Sequence, residues 1–226
     1  MKISVWNLMR PNAGSVDRNK LIIETLQKLD SDIVVLTETN SVIDLGEKYF
    51  SVSTLPLPEK IVNVTFKPGE NRVTIFSKIP FEREIPTADS YTSVCAETFT
   101  PFGPLIIYGT IIGYLGGRLD PFKSDLEKQT LDITNLSQQG NICYAGDLNV
   151  AFSGYNYPSR PVAEDVAKRL EDLDLTIVTK DCKDSAIHAV ISNSFLKGIN
   201  YTKEELFFEE KITDHRLVTI TLTPKD

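Results

Sequence analysis

An acid and an amide follow a predicted strand near the middle of the chain. The segment Gly146-Asp147-Leu148-Asn149 comes directly after the apolar run Ile142–Ala145. Because extended residues alternate between two faces, Asp147 and Asn149 should project to the same side. An acidic and an amide group would then converge on one site. Taken alone, the tetrapeptide is explained equally well as a plain turn built from Gly, Asp and Asn.

Two more oxygen-bearing side chains stand at the ends of predicted strands. Glu38 closes the apolar run Ile33–Leu36, and a carboxylate at the carboxyl end of a strand is well placed to bind a hard cation. Asn7 ends the first predicted strand and offers an amide oxygen that could support a metal ligand. Each residue has a plain alternative, which is a solvated acid for Glu38 and a local backbone contact for Asn7.

The chain contains two histidines, and both are candidates for chemistry. Asp214 and His215 precede the last predicted strand, and histidine is the side chain best suited to contact or protonate a phosphate oxygen near neutral pH. A surface Asp-His pair is the plain alternative. The second histidine, His188, is either a substrate contact or an ordinary histidine of the core.

Several arginines are candidate phosphate contacts. Arg118 follows Gly116 and Gly117, which would let the backbone and the guanidinium approach an anion closely. Arg160 ends a loop rich in Tyr and Asn, a composition that could stack on a nucleotide or hydrogen-bond to it. A solvated loop arginine is the alternative for both. Arg72 lies inside a predicted strand and is interpreted as a structural residue.

The periodicity of apolar residues divides the chain into alternating strands and helices. No repeat, linker or low-complexity tract interrupts this pattern, so residues 1–226 are predicted to form a single α/β domain. A capping-box pattern at Ser124 and Glu127 predicts the start of a helix that ends near Gln138. The other predicted helices are Asp17–Leu29 and Val162–Leu173. The predicted strands are Lys2–Trp6, Ile33–Leu36, Arg72–Ser77, Ser93–Phe99, Leu105–Ile112, Ile142–Ala145, Leu175–Thr179, Ala189–Ser192 and Leu217–Leu222.

Four short motifs follow one another along the chain: Trp6-Asn7, Thr37-Glu38-Thr39, the segment 146–151 and Thr213-Asp214-His215. Together they resemble, in order, motifs of the endonuclease/exonuclease/phosphatase superfamily, to which deoxyribonuclease-I-like enzymes and abasic-site endonucleases belong. The segment from Asn71 to Pro80 also resembles the family's strand that ends in a Ser-Arg/Lys-x-Pro turn. The resemblance covers essentially the whole chain. It implies a four-layer α/β sandwich, in which two mixed β-sheets pack face to face with helices outside and the strand ends form one pocket.

The resemblance also implies a divalent metal ion. Glu38 would be the principal ligand of Mg²⁺ or Mn²⁺, with Asn7 beside it, and Asp214 would assist that metal or a second one. Oxygen ligands suit Mg²⁺, and the cation would neutralise a substrate phosphate.

Catalytic roles follow from the same resemblance, which implies metal-assisted attack of water on a phosphoester. Asp147 would orient or deprotonate the attacking water, and Asn149 would hold a phosphate oxygen. His215 would stabilise the charge that develops on phosphorus.

One departure from the family's pattern affects the phosphate contact. Many family members place a His or Tyr just after the strand that matches Leu105–Ile112. Here Ile111 or Ile112 stands at that position, so Tyr114 would have to provide the contact.

A second departure affects the catalytic histidine. Ile187 stands where the family has the Asp that pairs with it. An unpaired His215 would be poorly oriented and less basic, because a carboxylate partner fixes the tautomer and favours the imidazolium. We therefore expect Asp184 or His188 to compensate.

Composition narrows the possible functions. Of 226 residues, 41% are hydrophobic and 24% charged, which excludes a disordered chain. A net charge of −7 argues against a broad basic surface for nucleic acid, so an anionic substrate would need a bound cation or a small Arg/Lys patch. No apolar run approaches the roughly 20 residues that span a bilayer, and no signal peptide is recognised. We expect a cytoplasmic monomer that does not contact a membrane.

Three functions remain open at this stage. The first is a divalent-metal-dependent phosphodiester hydrolase, and within that class a nuclease. The second is a phosphoesterase for small molecules such as nucleotides or phosphoinositides, which the low basic content favours. The third is a non-catalytic binding module of the same fold.

Overall fold

Fourteen strands and four helices form the part of the chain that the structure describes. The computed structural model covers residues 1–61, 64–114 and 117–225. The helices are α1 (Val16–Leu29), α2 (Asp120–Ser137), α3 (Arg160–Asp172) and α4 (Asn193–Leu196). The strands are β1 (Lys2–Asn7), β2 (Ile33–Asn40), β3 (Phe50–Ser53), β4 (Lys60–Ile61), β5 (Val64–Thr65), β6 (Glu70–Ser77), β7 (Phe81–Ile85), β8 (Ser93–Thr100), β9 (Gly103–Ile111), β10 (Ile142–Asp147), β11 (Leu175–Ile177), β12 (Ile187–Ser192), β13 (Ile199–Leu206) and β14 (Leu217–Pro224).

Twelve of the strands build two sheets of matching topology. The first sheet has the order β13-β14-β1-β2-β6-β3, and the second has the order β11-β12-β10-β9-β8-β7. In each sheet the two central strands run parallel, β1 with β2 and β10 with β9, while the other neighbours are antiparallel. Strands β4 and β5 form a separate short hairpin. The carboxyl ends of neighbouring parallel strands therefore lie at the same edge of each sheet.

Apolar residues fill the space between the two sheets. The central strands are runs of β-branched and aliphatic residues, which suit strands covered on both faces. At Gly109 the sheets approach so closely that a Cβ atom would lie 2.9 Å from the Val73 Cγ1 methyl. The buried residues of this layer include Ile3, Val5, Ile33, Val35, Val73, Ile75, Leu105, Ile107, Cys143, Ala145, Ala189, Ile191, Val218 and Ile220.

Helices cover the outer faces of both sheets. Helix α1 packs Ile22 and Leu26 into a cluster with Trp6 and Leu36 of the first sheet. Helices α2 and α3 bury their apolar sides in a cluster on the outer face of the second sheet. The predicted four-layer α/β sandwich with two mixed sheets is therefore confirmed. None of the helices in the described part of the chain is long and apolar enough to cross a bilayer.

The sequence correctly predicted the apolar strands and the three long helices. It missed exposed strands at the sheet edges and the first residue of α2. Edge strands β7 and β13 were not predicted, because their residues are largely exposed and show no apolar run. The start of α2 was misplaced. It begins at Asp120 after Leu119, with a proline in its first turn, so Ser124 lies inside the helix and caps nothing.

Gly146 gives a test of the backbone that carries the site. It precedes the last residue of β10, has a φ of +148°, and a Cβ there would lie 1.8 Å from the Thr110 carbonyl oxygen. We expect Gly146→Ala to lower the free energy of unfolding by about 3 kcal/mol or more, measured by urea denaturation. Gly198→Ala is the matched control, because its φ is +80° but no atom lies within 4 Å of the added methyl. Equal losses in the two variants would contradict this account.

Candidate active site

A hydrogen bond between two buried side chains joins the carboxyl ends of a central strand from each sheet. Asn7 is the last residue of β1 and Asp147 the last residue of β10. The Nδ2 of Asn7 donates to Oδ2 of Asp147 at 2.8 Å, and the two residues are 0% and 2% exposed. The motifs predicted to share a site therefore do meet, one from each sheet.

Glu38 lies in β2, the parallel neighbour of β1. The ladder between β2 and β6 pairs Thr37 with Val73 and Thr39 with Asn71, and Glu38 stands between them with a φ of +46°. This left-handed backbone is uncommon for a residue other than glycine and is often found at functional sites. Burial raises the pKa of Glu38, the negative charge of Asp147 raises it further, and a hydrogen bond from Asn7 opposes both effects.

Asp147 is held from two sides. Its Oδ1 accepts the backbone N–H of Asn149 at 2.9 Å, and its Oδ2 accepts the Asn7 amide. Burial raises the pKa of Asp147, whereas the nearby His215 and these two hydrogen bonds lower it. Two carboxylates thus share a poorly solvated edge of the sandwich, and a cation would stabilise both in their charged forms.

The loop that carries His215 is tied to the end of β1. The hydroxyl of Thr213 donates to the Asn7 carbonyl oxygen at 2.9 Å and accepts the His215 backbone N–H at 3.1 Å. His215 Nε2 lies 3.3 Å from Oδ1 of Asp214. Asp214, which was predicted as a metal ligand, is thus placed to orient the imidazole.

The predicted substitutes for the missing histidine partner are corrected by the structure. Ile187 is buried and lies opposite Asp147 in the β10–β12 ladder. Asp184 uses its Oδ1 to accept the Tyr155 backbone N–H at 2.6 Å. Within the described ranges, Asp214 is the carboxylate paired with His215.

His188 is a core residue, which corrects its prediction as a substrate contact. It is fully buried, and its Nδ1 lies 2.9 Å from the Thr179 hydroxyl. Its Nε2 lies 2.9 Å from the Val150 carbonyl oxygen and 3.0 Å from that of Ser185. Burial lowers the pKa of His188 to about 4, so the neutral ring donates from Nε2 and accepts at Nδ1.

Asn149 also differs from its predicted role. Its Nδ2 donates to the carbonyl oxygens of Ile112 at 2.8 Å and Gly113 at 3.3 Å. The amide nitrogen is thus engaged by two backbone carbonyls, so in this structure the side chain holds the segment just after β9 instead of presenting a donor to a phosphate. Its Oδ1 accepts the Tyr157 hydroxyl at 3.4 Å.

The remaining predicted substrate contacts lie in three different places. Tyr114 packs its ring on Arg72, next to Glu38. Arg118 is exposed and stands over the Tyr157 ring at 5.4 Å, while Gly116 lies outside the described residues. Arg160 is exposed at the start of α3 and pairs with Glu164, in a groove beside that helix.

The residues at this edge fit a hard divalent cation. No group of three or more His, Cys, Asp or Glu side chains in the described part of the chain converges as a metal site. Mg²⁺, however, is usually held by one or two carboxylates together with waters and substrate phosphate, and Glu38 and Asp147 supply such a pair. Three oxygen atoms near Glu38 are buried without a hydrogen-bond partner among the described residues. They are Thr37 Oγ1, Thr39 Oγ1 and Asn71 Oδ1.

A cleft of about 510 Å³ opens beside His215, Asp214 and Asn149. Its size is in the range of small-molecule sites. Two of its aromatic residues, Phe207 and Phe208, were not predicted as site residues from the sequence. The one sequence signal for them is their position shortly before the Asp-His motif. The lining includes Asn149, Tyr155, Tyr157, Phe207, Phe208, Asp214 and His215.

The charge repulsion between Glu38 and Asp147 can be tested through stability. Glu38→Gln removes one of two poorly solvated charges, so in EDTA we expect its Tm to exceed the parent's by about 2–4 °C. Mg²⁺ or Mn²⁺ should raise the Tm of the parent but not of this variant. Glu210→Gln, an exposed acid, should behave as the parent does. A metal-free Glu38→Gln protein no more stable than the parent would contradict the repulsion.

Buried neutral His188 makes stability depend on pH. The unfolded chain takes up a proton near pH 6.5 and the folded chain only near pH 4, so stability falls as the pH is lowered between these values. The expected loss is about 3 kcal/mol, measured by urea denaturation across this range. His188→Gln should flatten the curve and His215→Gln should not. A His188→Gln curve that changes with pH as the parent's does would refute the assignment.

Comparisons with known proteins agree with this geometry at the level of the fold. No protein-family model and no curated protein matches the sequence. Among solved structures, an AP endonuclease from Leishmania major has a TM-score of 0.74 at 11% identity, over 100% of this chain and 88% of that one.

Two further structures have the same arrangement. An endonuclease/exonuclease/phosphatase from Beutenbergia cavernae has a TM-score of 0.69 at 14% identity, over 100% of this chain and 72% of the other. The catalytic domain of human Nocturnin, solved with a bound sulfate anion, has a TM-score of 0.67 at 15% identity, over 99% of this chain and 93% of that domain. With four motifs meeting at one edge, this chain has the fold of the endonuclease/exonuclease/phosphatase superfamily, the deoxyribonuclease-I-like sandwich.

Proposed function

We propose that the protein hydrolyses phosphodiesters with the help of a divalent metal ion, and that its substrate is nucleic acid. The observation that carries the proposal is the meeting of Glu38, Asn7, Asp147 and His215 at one edge of the sandwich. The structurally similar proteins include nucleases and phosphoesterases by name, among them the Leishmania AP endonuclease.

Mg²⁺ or Mn²⁺, held by Glu38 next to Asp147, would polarise the phosphate and lower the pKa of a bound water. The chain's own groups account for the remaining requirements. Asn7 fixes Oδ2 of Asp147, and the Asn149 backbone N–H fixes Oδ1, so this carboxylate is held rigidly for orienting the attacking water and accepting its proton. His215, oriented by Asp214, can donate to a phosphate oxygen as negative charge builds up there.

The cleft favours a nucleotide-containing substrate. Phe207 is 69% exposed and Tyr155 is 48% exposed, and both border the cleft that holds His215. Aromatic side chains of this kind can stack on bases, and stacking tolerates any base sequence. The acidic net charge of −7 argues for a short bound segment over long duplex contacts.

A small phosphoester is the second candidate. A volume of about 510 Å³ would hold a single nucleotide or a phosphorylated headgroup as readily as a segment of a polymer. A binding module without activity is the third, because neither Ile111 nor Ile187 can replace the polar groups expected at their positions. The cytoplasmic location, the monomeric state and the single domain remain predictions.

The activity test compares plasmid DNA, single-stranded DNA, RNA, nucleotides and an aryl phosphodiester with Mg²⁺, Mn²⁺ and EDTA. We expect metal-dependent cleavage of nucleic acid, and a loss of at least about 100-fold in kcat for Asp147→Ala. Asp172→Ala, which removes an exposed acid on α3, is the matched control and should retain the parent rate. Turnover of nucleotides alone would support the second candidate. No turnover by the folded parent on any substrate would overturn the hydrolase.

A further inference from the structure

Arg72 is a buried cation next to the candidate active site. It stands in β6 between Asn71 and Val73, which pair with Thr39 and Thr37 on either side of Glu38, and it is only 5% exposed. Its guanidinium carbon lies 3.9 Å from the centre of the Tyr114 ring and 5.5 Å from that of Phe66. Two aromatic residues thus confine the guanidinium beside the proposed metal ligand.

The neighbouring Arg10 differs from Arg72 because its guanidinium has hydrogen-bond partners. Arg10 Nε donates to Glu70 at 2.9 Å, and its guanidinium also donates to the Thr65 carbonyl oxygen. Within residues 1–61, 64–114 and 117–225, no side-chain hydrogen bond or ion pair engages the Arg72 guanidinium. Its nitrogens are not among the fully buried unpaired polar atoms, and Arg72 lines an open recess. Burial lowers its pKa, and the charges of Glu38 and Asp125 only partly oppose this effect.

A guanidinium in such a setting is costly unless an anion approaches it. Burying a charge without a hydrogen-bonded partner destabilises a protein, and the aromatic faces offset only part of the loss of water. Sequence reasoning interpreted Arg72 as structural, yet apolar packing between Phe66 and Tyr114 would be served as well by an uncharged side chain of the same length.

The space beside Arg72 has room for one small anion. A recess of about 60 Å³ is lined by Arg10, Glu38, Phe66, Arg72 and Tyr114, among others. A cavity needs roughly 10–15 Å³ to admit one water, so this recess can admit more than one water or a small oxyanion. The planar guanidinium fork matches two oxygens of a phosphate.

We propose that Arg72 binds a non-bridging oxygen of the substrate phosphate next to Glu38. The assignment to a substrate rests on the proposed function, whereas the binding of a phosphate group does not. Arg72 on β6 would supply a phosphate contact that β9 lacks, since Ile111 is buried between the sheets and Tyr114 packs against the guanidinium. Tyr114 then acts on substrate by positioning Arg72.

The test measures binding of inorganic phosphate to the full chain by calorimetry, in EDTA and with Mg²⁺, together with the Tm of each variant. Arg72→Met keeps the length and apolar packing of the side chain, and Arg72→Gln keeps a hydrogen-bond donor without the charge. We expect each to weaken phosphate binding at least tenfold while its Tm stays at or above the parent value. Arg83→Met, which removes an exposed arginine of β7, should bind as the parent does.

Three outcomes would overturn the proposal. The first is a parent that binds no phosphate in either condition, and the second is folded variants that bind it unchanged. The third is a large fall in Tm for both variants, which would make Arg72 structural. A parent that binds phosphate through Arg72 but hydrolyses no phosphoester would overturn only the proposed function. Parallel titrations with a short single-stranded oligonucleotide and with glycerol phosphate would show which source supplies the phosphate.

Discussion

The hydrogen bond from Asn7 to Asp147 is the interaction on which the site depends. It connects the last residues of two strands that belong to different sheets, and it lies where neither residue reaches solvent. The other groups of the site are positioned relative to this pair. Glu38 enters through the parallel neighbour of β1, and the His215 loop is attached to the backbone oxygen of Asn7 by Thr213. The relative position of the two sheets therefore sets the geometry of the site directly.

The electrostatics of this edge are those of a site arranged for charged ligands. Asp147 makes the ionised form of Glu38 less favourable, and Arg72 is a cation with little solvation on the neighbouring strand β6. None of these costs is needed to hold the sandwich together, because the layer between the sheets is apolar. Charges that do not serve the core are consistent with a role in holding a cation and a phosphate.

The sequence was sufficient to find the residues that lie at strand ends. Asn7, Glu38, Asp147 and His215 follow or precede apolar runs. The resemblance to one superfamily predicts that they share one site. It could not show what each side chain contacts. The roles of Asn149 and His188 depend on backbone carbonyls supplied by distant segments. The edge strand β13 has no apolar run, and the packing of Tyr114 on Arg72 arises only in the tertiary structure.

The separation of the site residues along the chain has a kinetic consequence. Asn7 and Asp147 are 140 residues apart, and the Thr213 contact to Asn7 spans 206 residues. Contacts this distant in sequence close large loops and form slowly, after local helices and hairpins. The site exists only when both sheets have formed and docked, so a partly folded chain can contain most of its secondary structure and still have no site. During refolding, recovery of function should report the last step of assembly.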